Sequence, residues 1–243
     1  MFDRKQFEAT KREQVTAMSK DAALKNLARD YLIAADQAGY AYQWTWLGLP
    51  IIQFPPDIIA TQEIIWETKP DIIIETGIAW GGSILLYASL QQLMGKGKTI
   101  AVDLNLYDHV RDQIMGYPFS KRIQLLKGSS VEPSIVDRIK QQIEPGQSVM
   151  VLLDSSHTHE HVLAELKAYA PMVTKGQFLI VSDTIVEDIP PQTFRQRPWG
   201  PGDNPKTAMW EYLKTTDRFE EDFMINNKLL TTYTPNAFLR CIK

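Results

Sequence analysis

The stretch DIIIETGIAWGGSILLYASL, residues 71–90, decides the fold. A run of isoleucines ends at Glu75, a turn with three glycines follows, and an apolar segment with helical spacing begins at about Gly82. This order predicts a buried strand, a tight turn and the first helix of an α/β unit. Glycines in such a turn let backbone N–H groups approach a ligand closely, and the helix N-terminus favours an anionic group.

Four more short apolar runs follow the first one at similar intervals. They are TIAVD (99–103), RIQLL (122–126), VMVLLD (149–154) and FLIVSD (178–183), with helical segments between them. Short apolar runs that alternate with helices indicate a parallel sheet covered on both faces. Two further strand-like pieces, FEEDFMI (219–225) and AFLRCIK (237–243), end the chain, after a helix predicted near 206–215. The fold class is therefore α/β and Rossmann-like.

The chain divides into an N-terminal extension, residues 1–57, and a main domain, residues 58–243. Residues 1–36 have apolar side chains at helical spacing, and residues 37–56 are uncharged and rich in aromatic residues. We expect this uncharged stretch to be a buried or interfacial cap, compatible with self-association. Residues 185–205 contain five prolines, two glycines and one tryptophan. Such a long irregular segment inside a compact domain predicts a lid-like loop.

Composition narrows the class of partner. The 26 Lys and Arg residues are scattered among 29 Asp and Glu, and the net charge is −3, which argues against a nucleic-acid partner. The sequence has no uniformly aliphatic stretch, so no membrane span is predicted. Cys241 is the single cysteine, so no internal disulfide is expected, and the N-terminus lacks the apolar segment of a secretory signal. These features predict a cytoplasmic protein acting on a small molecule.

The glycine turn favours one cofactor over another. From Gly77 the spacing is G-x-x-x-G-G rather than the G-x-G-x-x-G of dinucleotide sites, and Glu75 precedes it by two residues. A carboxylate there repels a pyrophosphate but accepts hydrogen bonds from the amino end of S-adenosylmethionine. Asp103, at the end of the second strand, is placed to accept the ribose hydroxyls. We assign further cofactor contacts to Gly81, Gly82, Ser83, Ser129 and Asp154. The alternative is a tight strand–helix turn without a ligand.

Acidic residues also close two later strands, Asp154 and Asp183. If these strands are neighbours, the two carboxylates meet at one edge of the sheet, where with Ser182 they suit a hard cation such as Mg²⁺. Such an ion lowers the pKa of a substrate hydroxyl and makes its oxygen a better nucleophile. The alternative is that both acids cap the helices that follow them.

Three histidines at 157, 159 and 161 allow three interpretations. His157, three residues after Asp154, suits a general base, and this is the interpretation we favour. A second interpretation is an iron site of Asp154 with two of the histidines. In the third, His159 and His161 are solvated residues of the first helical turn. In the lid, Trp199 is the candidate wall over an acceptor and Arg197 the candidate anion contact.

Several motifs together carry a resemblance to a known family. They are WLGLPIIQFPPDI (46–58), ETGIAWGGS (75–83), LLDSSHTHEHVLAELKAYAPMV (152–173), GQFLIVSDT (176–184), RPWGPGDNP (197–205) and TPNAFLRCI (234–242). In this order they resemble the cephalosporin hydroxylase/rhamnosyl O-methyltransferase family, over residues 40–243.

The resemblance implies a class I methyltransferase with a seven-stranded, mostly parallel sheet, S-adenosylmethionine as cofactor and Mg²⁺ beside it. It implies cofactor roles for Glu75, Gly77, Ser83 and Asp103, and metal roles for Asp154 and Asp183; His157 falls where related metal-dependent O-methyltransferases place a basic residue. One departure is Ser182, where the family usually has glutamate, and this neutral residue weakens the expected metal site.

The predicted function is S-adenosylmethionine-dependent O-methylation of a hydroxyl on a sugar or other small natural product, assisted by a divalent metal. Asp154 and His157 are the predicted catalytic residues. The alternatives are an iron-dependent hydroxylase and a cofactor-binding protein without catalysis.

Overall fold

The computed structural model describes residues 3–192 and 194–243 and contains a seven-stranded sheet and a two-stranded hairpin. The hairpin strands are β1 (Thr45–Trp46) and β2 (Leu49–Pro50). The strands of the large sheet are β3 (Ile72–Thr76), β4 (Lys98–Asp103), β5 (Ile123–Lys127), β6 (Val149–Leu153), β7 (Phe178–Val181), β8 (Phe219–Glu221) and β9 (Phe238–Cys241). Their order is β5-β4-β3-β6-β7-β9-β8; only the contacts of β9 with β7 and β8 are antiparallel. The predicted seven-stranded, mostly parallel sheet is confirmed.

The part of the chain that the structure describes has nine α-helices, of which two precede the first strand and seven lie between strands. They are α1 (Arg4–Lys20), α2 (Ala22–Gln37), α3 (Pro55–Thr68), α4 (Gly82–Met94), α5 (Asp108–Met115), α6 (Pro133–Lys140), α7 (His159–Tyr169), α8 (Pro205–Leu213) and α9 (Phe223–Lys228). Short 3₁₀ helices lie at Tyr40–Gln43, Ser120–Arg122, Ala170–Met172 and Thr184–Glu187. None of these helices is long and apolar enough to cross a membrane.

Strand β3 is the centre of the sheet because both of its faces are apolar. Ile72 and Ile74 pack into the core that α6, α7 and α8 cover, whereas Ile73 packs into the core beneath α3 and α4. Successive side chains of a strand point to opposite faces, so a continuous isoleucine run requires helices on both sides. The prediction of helices on both faces is confirmed.

The predicted N-terminal helical segment is two helices, separated at Asp21, whose side chain accepts a hydrogen bond from the Leu24 N–H and so starts α2. The uncharged aromatic stretch that follows is partly packed into the fold: Phe54 is 1% exposed and its ring contacts the rings of Tyr40 and Tyr233, whereas Leu47 is 54% exposed. Through this stretch the N-terminal extension contacts the main domain. The boundary at residue 57 and the self-association stay predictions.

The first of the two C-terminal strand predictions is partly wrong. Residues 219–225 were expected to be extended, but β8 ends at Glu221 and α9 begins at Phe223. Asp222 lies between them and its carboxylate accepts a hydrogen bond from the Ile225 N–H, which starts a helix. A helix N-cap therefore interrupts the apolar pattern.

Candidate active site

The glycine turn between β3 and α4 is held in shape by Asp103. The Asp103 Oδ2 atom accepts hydrogen bonds from the N–H groups of Ile78 and Ala79, at 2.8 and 3.2 Å, and Oδ1 accepts one from the Asn105 N–H at 2.7 Å. Gly77 has a φ of +91°, and a Cβ atom there would lie 1.9 Å from the Asp154 carbonyl oxygen. Glycine is therefore required at this close approach between two strand ends.

A cavity of about 350 Å³ opens directly beside this turn. Four of the predicted cofactor residues line it: Gly77, Asp103, Ser129 and Asp154. Because each carboxylate oxygen has two lone pairs, Asp103 keeps acceptor capacity beyond its three backbone contacts. The cavity lies outside the carboxyl ends of the strands, where open α/β sheets bind their ligands.

Glu75 lies behind the turn rather than in the cavity wall. It is 1% exposed; Ser83 donates a hydrogen bond to Oε2 and Tyr87 donates one to Oε1, both at 2.8 Å. Burial, supplemented by the Asp154 charge, raises the pKa of Glu75 well above its usual value despite these two hydrogen bonds. Its predicted contact with the cofactor amino group stays a prediction; in the structure its contacts link β3 to α4.

The remaining turn residues pack against the hairpin and its neighbours. A Cβ at Gly82 would lie 2.3 Å from the Pro50 carbonyl oxygen, and one at Gly81 would overlap the Ile114 side chain. Both glycines therefore permit close packing of the helix N-terminus. Gly82 and Ser83 line a narrow crevice that reaches Asp154, so their cofactor role stays a prediction.

The structure brings three predicted residues together at the carboxyl ends of β6 and β7. Asp154 Oδ1 and Asp183 Oδ2 lie 3.6 and 3.5 Å from His157 Nε2. Among the described residues, these three form the one group of histidines, cysteines and acids whose ligand atoms all lie within 4.8 Å of one another. Ser182 lines a crevice that also contacts Asp154 and Asp183, and its role as a ligand stays a prediction.

The pKa values of His157 and Asp183 are set by burial and by the neighbouring charges in this cluster. Burial lowers the pKa of His157, but the carboxylates of Asp183 and Asp154 outweigh it and raise the pKa to about 9. Burial raises the pKa of Asp183 to about 6; His157 opposes this shift and Asp154 adds to it. The imidazolium is therefore the counter-charge of two carboxylates held side by side.

Two alternative interpretations of these residues are wrong. The carboxylates do not cap helices, because α7 has Thr158 at its N-cap and Asp183, at the N-cap of the following 3₁₀ helix, makes no side-chain capping bond. The two-histidine iron site does not form in the described chain. His159, in the first turn of α7, contacts Thr207 and Glu211 on α8 instead, and 28% of its side chain stays exposed.

A second cavity, of about 320 Å³, lies between the sheet edge, the N-terminal extension and the loop at 185–205, whose role as a lid stays a prediction. Both predicted acceptor residues line it: the Trp199 ring is 4.8 Å from the His157 ring, and the Arg197 guanidinium lies 5.3 Å from the Trp199 ring centre. The two cavities share Ala79, Asp154, Ser155 and Trp199 in their walls. They therefore meet at Asp154 and beneath Trp199.

Asp36 is a site residue that the sequence did not reveal. It is 4% exposed and accepts hydrogen bonds from Gln192 Nε2, Arg195 Nη1 and the Tyr233 hydroxyl at 2.7, 3.2 and 2.9 Å. It therefore joins the extension, the lid and the C-terminal segment at the second cavity. The sequence contained one indication of this role, because Asp36 is an acid one helical turn after Leu32, on the apolar face of α2.

Solved structures that share this architecture include CmcI and an O-methyltransferase. CmcI with Mg and S-adenosylmethionine aligns with a TM-score of 0.57 and 19% identity, over 83% of this chain and 78% of that one. An O-methyltransferase from Bacillus cereus, in complex with S-adenosylhomocysteine, aligns with a TM-score of 0.51 and 12% identity, over 82% of each chain. The fold is that of the class I methyltransferases.

The sequence comparison identifies the family. The model of the family "Rhamnosyl O-methyltransferase/CmcI" matches residues 38–242. The rhamnosyl O-methyltransferase of Mycobacterium leprae (strain TN) is 30% identical over 201 residues, which cover 80% of this chain and 82% of that protein. This chain belongs to the rhamnosyl O-methyltransferase/CmcI family. The predicted family, fold and methyltransferase class are confirmed.

Proposed function

We propose that this enzyme transfers the methyl group of S-adenosylmethionine to a hydroxyl oxygen of a small acceptor, with a divalent cation at Asp154 and Asp183. The observation that carries the proposal is the meeting of two cavities at Asp154 and Trp199. Methyl transfer requires the sulfonium carbon and the acceptor oxygen to be aligned in one enclosed space, and this alignment supplies much of the rate. Two cavities that share one wall meet this requirement.

The cavity beside the glycine turn has the features of a nucleoside site. Its floor is the backbone at Gly77, and the Asp103 carboxylate lines it next to Asn105. A ribose offers hydroxyl donors, and the one lone pair that Asp103 keeps, on Oδ1, can accept from one of them. These features support the cofactor assignment, with Asp103 as the ribose contact and Gly77 as the backbone contact.

The acid pair fits a divalent cation. Two half-buried carboxylates beside a single imidazole leave more negative charge than one proton neutralises, and Asp183 holds the left-handed backbone conformation with a φ of 57°. Oxygen donors are those that Mg²⁺ prefers, and it retains several waters in such sites. Asp154 and Asp183 would hold the ion, with Ser182 beside them. When bound, a divalent cation stabilises an ionised acceptor hydroxyl.

The chain's own residues position the acceptor and handle its proton. His157 lies between the acids and beneath the Trp199 ring, so its imidazole faces the place where the acceptor hydroxyl must lie. With a pKa of about 9, His157 stays protonated while its charge alone balances the two carboxylates. It can accept the proton of the acceptor hydroxyl only after another positive charge, such as a divalent cation, has taken over that balance. Trp199 closes the junction of the two cavities and limits access of water.

The second cavity supports a small polyhydroxylated acceptor, a sugar or another natural product. Tyr42 and Trp199 provide flat apolar surfaces, and Arg197 and Gln192 provide hydrogen-bond donors. Apolar walls with a few placed polar groups are typical of small-molecule sites. We further propose that the enzyme acts in the cytoplasm, uses no nucleic-acid partner and forms a homo-oligomer.

The proposal is tested by measuring cofactor binding and turnover together. Calorimetry with S-adenosylhomocysteine is expected to show one site per chain, and a panel of rhamnosides and other glycosides is expected to include one that becomes O-methylated with Mg²⁺ present. Asp103→Ala is expected to weaken binding of the cofactor. Absence of S-adenosylhomocysteine binding contradicts the proposal.

One alternative keeps the cofactor site but has no catalysis, and Ser182 in place of an acidic residue favours it. Binding of S-adenosylmethionine without methyl transfer to any glycoside, with or without Mg²⁺, is the result that this alternative predicts. Ser182→Glu, which restores a third carboxylate, is then expected to create a tighter metal site.

A further inference from the structure

A hydrogen-bonded group of residues, which begins at Ser155 next to Asp154, forms part of the wall of the cofactor cavity. Glu165 on α7 is fully buried, at 0% exposure, and the Ser155 hydroxyl donates to its Oε1 atom at 2.6 Å. The His161 Nε2 atom lies 3.1 Å from the Ser155 and Ser130 hydroxyl oxygens and 3.4 Å from Glu165 Oε1. Ser130, Ser155 and His161 all line the cavity.

These contacts fix which nitrogen of His161 carries the proton. Ser155 gives its hydrogen to Glu165, so its oxygen can only accept from the imidazole. Nε2 therefore carries a hydrogen. In the neutral ring the other nitrogen, Nδ1, then has a free lone pair. Within the described parts of the chain, Nδ1 has no hydrogen-bond partner.

The same contacts argue against a catalytic triad. A hydrolytic serine, histidine and acid require the acid to bind the ring nitrogen that does not face the serine. Here the serines and Glu165 all contact Nε2. The cluster orients the imidazole rather than activating a serine.

We propose that His161 recognises the base of the cofactor, its Nδ1 atom accepting a hydrogen bond from the exocyclic amino group of adenine, with Glu165 as the positioning residue. The proposal rests on the function proposed above. Asp103 ends β4 and Asn105 follows it, whereas Ser129 and Ser130 follow β5, so a nucleoside whose ribose lies on Asp103 extends its base toward Ser130 and His161. A lone pair at that wall selects a donor, and the amino group is the only donor on adenine.

The test compares two nucleosides that differ at this group. S-adenosylhomocysteine carries the amino group, whereas S-inosylhomocysteine carries a carbonyl oxygen that repels a lone pair. Dissociation constants for both are measured by calorimetry with the wild type, His161→Leu, His161→Asn and Glu165→Gln. The wild type is expected to bind the adenosyl compound roughly tenfold or more tightly than the inosyl compound, the value of one buried hydrogen bond.

His161→Leu is expected to remove this preference, and His161→Asn to retain most of it, because the asparagine oxygen replaces an acceptor at the Nδ1 position. Glu165→Gln is expected to reduce the preference in part, because it removes the acceptor that fixes the tautomer. Asp103→Asn serves as the matched control: it is expected to weaken both nucleosides by the same factor. Thermal melting checks that each variant is folded.

Three results overturn the proposal. One is a wild type that binds both nucleosides equally well; another is a His161→Leu variant that weakens both equally and keeps their ratio. If the leucine variant does not fold, an unchanged ratio in Glu165→Gln has the same consequence. A wild type that binds neither nucleoside instead overturns the proposed function, and this inference with it.

Discussion

Asp154 and Asp183 are the residues whose surroundings differ most from those of ordinary surface acids. Each lies about 3.5 Å from the same imidazole nitrogen, in a half-buried pocket where water screens their repulsion poorly. Burial raises the pKa of Asp183 to about 6, which shows how costly a second negative charge is there. A group that carries such a cost in the resting protein is a candidate for function rather than for stability.

Replacing Asp154 with asparagine tests this role. We expect Asp154→Asn to lower methyl transfer by roughly a hundredfold or more, because it removes both a metal ligand and a charge beside the reacting oxygen. Binding of Mg²⁺ is expected to weaken, and the melting temperature to stay the same or rise. Asp137→Asn, at an exposed acid on α6, is the control. Full turnover by Asp154→Asn in the presence of a chelator contradicts the metal-assisted mechanism.

The surroundings of Asp57 predict how the stability of the protein depends on pH. It is 5% exposed at the start of α3, where the Thr232 hydroxyl and the Tyr233 N–H donate hydrogen bonds to it, and burial nonetheless raises its pKa to about 7. In the unfolded chain the pKa is about 3.9. The folded protein therefore holds a proton that the unfolded chain has lost. The stability that this proton confers is fully present below pH about 3.9 and is lost as the pH rises through 7.

We expect Asp57→Asn to remove this part of the pH dependence. Urea unfolding from pH 4.5 to 7.5, in chelator, should show the free energy of unfolding of the wild type falling with pH relative to that of the variant. The difference between the two proteins isolates Asp57 from other titrating groups. Parallel curves for the two proteins would mean that Asp57 is ionised throughout.

At the scale of elements, the β3–α4 turn is joined to β6 by contact between backbones. The Gly77 N–H donates a hydrogen bond to the Val102 carbonyl oxygen on β4, and the Gly77 Cα atom lies against the carbonyl of Asp154, which follows β6. The turn therefore sets the distance between the cofactor cavity and the acid pair. A change in its backbone is expected to affect both.

Gly77→Ala tests this coupling. The added methyl group would lie 1.9 Å from the Asp154 carbonyl oxygen, in a residue whose φ is +91°. Gly146→Ala is the matched control, because its φ is +86° but no atom lies within 4 Å of the added methyl. We expect Gly146→Ala to cost about 1 kcal/mol and Gly77→Ala several times more, with loss of cofactor binding. Equal losses of stability in urea would show that the close approach is not needed.

The lid is a second element whose position depends on one buried acid. Asp36 binds Gln192 and Arg195 of the lid from α2, and the Arg195 guanidinium also lies over the Tyr42 ring at 5.1 Å. Trp199 belongs to the same segment. Lid position and acceptor binding are therefore expected to change together.

Asp36→Asn is expected to raise KM for the acceptor by roughly tenfold, because the lid loses its charged contact. The dissociation constant of S-adenosylhomocysteine is expected to stay within about twofold, because that cavity shares only the Trp199 side of the lid. Asp30→Asn, at an exposed acid on the same helix, is the control. A selective loss of cofactor affinity would contradict the assignment of Asp36 to the acceptor cavity.

On the scale of the whole molecule, the two cavities lie between parts of the chain that are far apart in sequence. Strand ends form the floor, α2 and the lid form one side of the acceptor cavity, and the start of α7 closes the cofactor cavity. A ligand that fills such a junction binds the folded state alone. Its binding energy is therefore added to the stability of the fold.

We expect S-adenosylhomocysteine at a hundred times its dissociation constant to stabilise the protein by about 2.7 kcal/mol. For a chain of 243 residues this corresponds to a rise in melting temperature of about 5–10 °C. Differential scanning fluorimetry measures it directly, with Asp103→Ala as the variant that should lose it. An equal rise in the melting temperature of Asp103→Ala would contradict the assignment of Asp103 as the ribose contact.

The sequence by itself determined the sheet and the order of its parts. Alternating apolar runs and helices require a parallel sheet that is covered on both faces, and acids at the ends of two strands meet at one edge if those strands are neighbours. For this reason the core, the glycine turn and the cluster of Asp154, His157 and Asp183 could be predicted from local patterns. The α9 helix could not, because an N-cap at Asp222 outweighed an apolar pattern that suited a strand.

Only the tertiary structure decided what each polar side chain contacts. Glu75 and Asp103 both close strands, yet one is buried behind the turn and the other lines the cavity. His159 and His161, two residues apart, contact different helices and different acids. Asp36 reaches Arg195 and Tyr233 across the whole chain. Such contacts depend on distances between distant segments, which no local spacing contains, whereas burial of apolar faces follows from the order of residues alone.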